Sequence, residues 1–153
     1  MINQPVRYLL LALIATLAGC ATVPQEPALS LSVKGVPSED LRGIVGSVYV
    51  WRGWTLEQES NSAMSFSVQN NGMVASLYGS KYDSNVFNRE KITFFKVGDK
   101  VNFIFNQVIV GNRGSAFENE TPVTSNNNRE RNARIRQISR MIKENHPSAV
   151  VIN

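Results

Sequence analysis

The apolar residues of this chain keep two rhythms, and each marks a kind of element. Between Ser38 and Gly53, the residues Leu41, Ile44, Val45 and Val48 recur at the three-and-four spacing of one helical face. Ser38 suits the N-cap of such a helix, Glu39 and Asp40 suit its positive first turn, and Gly53 suits its end. Gly43 and Gly46 weaken the helix by about 1 kcal/mol each relative to alanine, but would let it lie close to a sheet. After Gly53 the period falls to two. Trp54, Leu56 and Gln58 alternate with Thr55, Glu57 and Glu59, which sets Glu57 and Glu59 on one strand face. A Ser60-Asn61-Ser62 turn leads into a second alternating run with Met64, Phe66 and Val68.

Two dipeptides set the registers of the strands. Asn71-Gly72 fits a two-residue hairpin turn and would pair Val68 with Ala75 and Phe66 with Leu77. Gly98-Asp99 fits another, pairing Phe94 with Phe103 and Ile92 with Phe105, with Val101 on the same face. The opposite face carries Lys91, Thr93, Asn102 and Asn106, diluted by Phe95, Val97 and Ile104, and the last strand runs on toward Val110. The helical rhythm returns from about Asn128 to Asn145. Ile135, Ile138, Met141 and Ile142 form its apolar stripe, and at 100° per residue Arg129, Arg136, Arg140 and Lys143 gather on the other side. His146-Pro147 ends it, because the residue before proline avoids helical angles.

These elements predict an α+β fold: two layers, with an about five-stranded antiparallel meander and an N-terminal and a C-terminal helix on one face. Polar loops are expected over 79–90 and 112–128. The domain is expected over 37–147. Residues 20–36 read as a tether broken by Pro24 and Pro27, although Leu29, Leu31 and Val33 alternate well enough for a short edge strand. Residues 148–153 form a tail, whose apolar stretch Ala149–Ile152 suits a sheet edge.

The first nineteen residues have a different character. Arg7 gives a positive start, and Tyr8 to Leu17 is an uncharged apolar run, too short for the roughly 20 residues that cross a bilayer. Small residues and Cys20 follow. Leu17-Ala18-Gly19-Cys20 resembles the lipobox of bacterial lipoprotein precursors. That resemblance implies cleavage before Cys20, removal of residues 1–19 and lipid on the Cys20 sulfur. Ala21, rather than an aspartate, then implies the outer membrane, with the protein held on its periplasmic side.

Composition narrows the chemistry. Without residues 1–19 the chain has 134 residues, enough for one modest core. Cys20 is its single cysteine and His146 its single histidine, so neither a thiolate nor a histidine-rich metal site is expected, nor any cofactor. A serine triad would have to use His146, at a helix end where a histidine more often faces the dipole. Glu57 with Glu59, or Glu118 with Glu120, has the spacing of a carboxylate pair, but such spacing is common by chance. Gly111-Asn112-Arg113-Gly114 matches no phosphate-loop fingerprint and reads as a turn.

Charge gives the best lead. Residues 21–127 hold nine basic and ten acidic side chains, whereas 128–153 hold six basic and two acidic. The positive character thus belongs to the last helix. The pattern points to a non-enzymatic, lipid-anchored envelope protein. Its basic face of Arg129, Arg136, Arg140 and Lys143 would meet an anionic lipid, an anionic polymer or an acidic protein, and not nucleic acid. A hydrolase of envelope polymers using carboxylates, and an inhibitor or immunity protein of an envelope enzyme, are the alternatives.

Overall fold

The computed structural model describes residues 29–70, 86–123 and 129–152. In chain order the elements are β1 (Leu29–Lys34), α1 (Ser38–Trp51), β2 (Thr55–Glu59), β3 (Ala63–Gln69), β4 (Phe87–Val97), β5 (Lys100–Gly111), β6 (Asn119–Pro122), α2 (Arg129–Asn145) and β7 (Val150–Ile152). All strands pair antiparallel in one sheet of order β2-β3-β4-β5-β1-β7, and β6 lies beside the far half of β5. The expected two-layer α+β architecture is present, with both helices against one face. Among the described residues the sheet has seven strands rather than about five, and β2 to β5 form its sequential run.

The surplus strands come from segments expected to be tether, loop and tail. β1 lies inside the expected tether 20–36. It is not an edge strand, because β5 flanks it on one side and β7 on the other. Leu31 and Val33 are accordingly buried, and the folded unit reaches back to Leu29. β6 forms within the expected loop 112–128, and β7 forms from the apolar tail.

The Gly98-Asp99 turn sets the register read from the sequence, with Phe94 opposite Phe103 and Ile92 opposite Phe105. Gly98 has φ +63° while Asp99 does not take positive φ, the pattern of a type II′ turn that keeps the twist of its strands. The Asn71-Gly72 turn and the residues after it lie outside the described residues. Phe66, however, stands between Leu56 on β2 and Glu90 on β4, so both its cross-strand positions are filled by strands other than the one expected.

α1 presents Leu41, Ile44, Val45, Val48 and Tyr49 to the sheet. Its N-cap is Pro37 rather than Ser38, so the helix begins one position earlier than the sequence suggests. Its C-terminus closes as a Schellman motif. The Gly53 amide donates to the Val50 carbonyl, the Trp54 amide donates to the Tyr49 carbonyl, and Gly53 takes φ +79°. Of the two helix glycines only Gly46 meets the sheet, since a methyl there would stand 3.4 Å from the Met64 side chain. Gly43 has open space and is exposed. Tyr49 stacks on Phe66 with ring centroids 4.6 Å apart, and Trp54 meets Tyr49 edge-on at 5.5 Å. The core is thus the hydrocarbon layer between the helices and the inward residues of β1, β3, β4 and β5.

Candidate functional site

α2 has two chemically distinct sides. Ile135, Ile138 and Ile142 are buried and Met141 is partly buried, as the stripe predicts. Arg129, Arg136, Arg140 and Lys143 are all exposed. Their positions fall within about 60° of the helix circumference, and the row runs about 21 Å along the axis. None of the four contacts an acidic side chain among the described residues. The other arginines described each have a side-chain partner, acidic in every case but Arg52. Arg42 pairs with Glu59, Arg52 donates to Gln137, Arg89 and Arg113 reach Glu57, and Arg131 and Arg134 reach Glu90.

The pairing of Arg131 and Arg134 is the feature that periodicity alone missed. Both guanidiniums are buried, and the wholly buried Glu90 of β4 receives Arg131 at 2.9 Å and Arg134 at 3.0 Å. Arg131 also donates to the carbonyl oxygen of Phe105. Arg134 lies 4.6 Å from the Trp54 ring centroid and 5.4 Å from that of Tyr49. Burial, aided by the Glu90 charge, raises the Tyr49 phenol well above its ordinary range, so it stays neutral. A signal for this trio exists in the sequence. Glu90 continues the inward phase of Ile92 and Phe94, and Arg131 and Arg134 fall on the stripe side of α2. Two breaches of pattern with opposite charge identify each other.

The sheet face opposite the helices carries a second ionic group. Arg89 is its hub. Nε donates to Glu57 at 2.6 Å, and Nη1 donates to Glu118 at 2.9 Å and to Glu120 at 2.7 Å. Lys91 adds a 2.5 Å bond to Glu120. Arg113 lies 2.5 Å from Glu57, with its guanidinium over the Phe87 ring. The expectation that Glu57 and Glu59 share a face fails here. The register shifts between Leu56 and Gln58, and this bulge leaves Glu57 on the face opposite the helices but turns Glu59 toward Arg42 of α1. Glu57 of β2 instead converges with Glu118 and Glu120, which come together from the β6 segment.

All three carboxyls lie below the usual glutamate range. Burial opposes this at Glu57, but bonds from Arg89 and Ser67 and the charges of Arg89 and Arg113 outweigh it. At Glu118 the leading cause is the Gly114 amide, followed by Arg89. At Glu120 it is the bond from Lys91. Acid–base hydrolysis of the glycosidase kind needs one carboxyl held protonated, and these three are held ionised. Their geometry is that of a clasp pinning β6 and the turn before it onto the sheet. Beside it runs a groove of about 500 Å³ lined by Glu57, Gln58, Ser65, Arg89, Lys91 and Thr93, among others.

The remaining candidates resolve simply. Gly111-Asn112-Arg113-Gly114 is the turn that ends β5, with Asn112 at φ +54° and Gly114 at φ +74°. His146 Nε2 stands 3.7 Å from Asp40 Oδ2 at the helix end. Among the described residues no three metal-ligating side chains cluster, and no helix is long and apolar enough to cross a membrane. Cys20 lies outside the described residues. No protein-family model matches this chain, and no curated protein sequence matches it either.

Proposed function

We propose that this chain is a lipid-anchored component of the bacterial envelope, held through Cys20 on the periplasmic side of the outer membrane, which binds an anionic envelope partner without catalysis. The observation that carries the binding reading is the contrast among the arginines. Those that serve the fold have side-chain partners, whereas Arg129, Arg136 and Arg140, with Lys143, stand in one row on α2 with no ion-pair partner among the described residues. A surface row that stabilised the helix would be paired with acids at the neighbouring turn positions; here Glu144, four residues after Arg140, is the one acid so placed, and no ion pair joins the two. This row keeps its charge for something outside the domain.

The test is crosslinking in intact cells, comparing wild type with an Arg136→Glu/Arg140→Glu variant. Exposed positions away from special features change stability by about 0.5 kcal/mol or less, so the melting temperature should hold. A captured partner should disappear from the variant. An unchanged set of captured partners refutes the binding reading.

A further inference from the structure

We infer that the anionic surface read by the α2 row is the headgroup layer of the membrane that carries the chain's own lipid. This inference rests on the lipid-anchored reading above and names the partner of the same face.

Three observations converge on it. The first is where the chain enters the fold. Leu29 opens β1 and lies opposite Phe105 on β5. The carbonyl of Phe105 is held by Arg131, in the first turn of α2. The entry point of the chain and the Arg129 end of the basic row therefore share one corner of the domain. The second is reach. Only residues 21–28 separate Cys20 from β1, and that stretch spans at most about 30 Å when fully extended. A lipid on Cys20 thus holds this corner close to the bilayer. The third is shape. The row is linear and lies on the side of α2 turned away from the sheet, so its charges address an extended surface rather than a single small anion. Exposed cations attract an anionic leaflet only within about a Debye length, roughly 8 Å at physiological ionic strength, and a tether of at most about 30 Å leaves the row free to come that close.

The orientation follows. With α2 laid on the headgroups, the helical layer faces the membrane. The opposite sheet face, with the Arg89 clasp and its groove, is turned to the periplasm. One attractive contact at a corner would leave the domain swinging on its tether, whereas a four-charge row fixes its heading.

The test uses the full lipidated protein reconstituted into vesicles. Cys20 is blocked by its lipid, so Glu144→Cys, beside the row, and Thr93→Cys, on the open face, each offer one thiol for a fluorophore. Vesicles of phosphatidylcholine alone, or with phosphatidylglycerol, carry nitroxide-labelled headgroups as quencher. Quenching at position 144 should exceed that at 93 several-fold in the anionic vesicles. The difference should vanish in pure phosphatidylcholine, at molar salt, and in the Arg136→Glu/Arg140→Glu variant, while all forms stay vesicle-bound. Equal quenching at the two positions in anionic vesicles overturns the inference and leaves the anchor standing. Protection of the 144 probe by a soluble polyanion or an acidic protein, without quenching by anionic vesicles, hands the row to another occupant and also overturns it. Failure of the wild type to sediment with neutral vesicles refutes the anchor itself, and the inference with it.

Discussion

Glu90 occupies an inward position of β4 whose neighbours in phase, Ile92 and Phe94, are hydrocarbon. A lone buried carboxylate there would be prohibitive, and two arginines from α2 make it tolerable. The trio ties the helix to one strand at one height, because sliding α2 by a turn would strand three charges in the core. Removing one member should therefore cost far more than any surface change. Glu90→Gln should lower stability by about 3–5 kcal/mol, the usual penalty for breaking a buried ion pair from one side. Urea unfolding followed by circular dichroism measures this as a fall in midpoint. A loss under about 1 kcal/mol would mean that the guanidiniums find other partners at little cost. At this scale the sequence was half legible. The apolar stripe of α2 stood out, but periodicity counts Arg131 and Arg134 as ordinary surface charge unless the opposite charge on β4 is noticed at the same time.

Among the elements, legibility followed the locality of the determinant. The 91–106 hairpin was readable to the residue because a two-residue turn fixes every pair that follows it. The faces of Glu57 and Glu59 were misread because a bulge breaks strict alternation, and a bulge in β2 leaves no mark as plain as a glycine dipeptide. β6 was hidden for a related reason. Asn119–Pro122 has no apolar alternation, and its place beside β5 is held by ion pairs from Glu118 and Glu120 to Arg89 and Lys91. That makes β6 sensitive to acid. Carboxyls with depressed pKa in the folded state stabilise it above the unfolded glutamate value of about 4.3. As pH falls below that value the unfolded chain takes up protons first, and the stabilisation fades until the folded carboxyls titrate too. Amide exchange at 119–121 should therefore rise relative to that of β4 below about pH 4, once corrected for the intrinsic rate. A constant ratio down to pH 3 would show that the clasp does not hold β6.

The layered α+β class of the whole molecule was legible, since two amphipathic helices and alternating strands have few ways to hide their apolar sides. The strand order was not, because β1 finds its neighbours through partners far along the chain. The proposed lipid anchor is tested at this scale too. Cells fed a fatty-acid probe should label the wild type and leave Cys20→Ser unlabelled, and equal labelling would remove the lipid from every statement above. The position of β1 also has a consequence in time. Ser32 bonds Asn102 across 70 residues, and Val33 meets Val151 near the other end of the sequence. A chain emerging from its N-terminus exposes Leu31 and Val33 long before β5 and β7 arrive to cover them. Contacts of such separation close slowly, because the loop entropy falls due before any burial rewards it. The first strand to be made is thus among the last to be paired, and the nascent protein carries an open, sticky edge through most of its synthesis, during the interval in which a chaperone has most to shield.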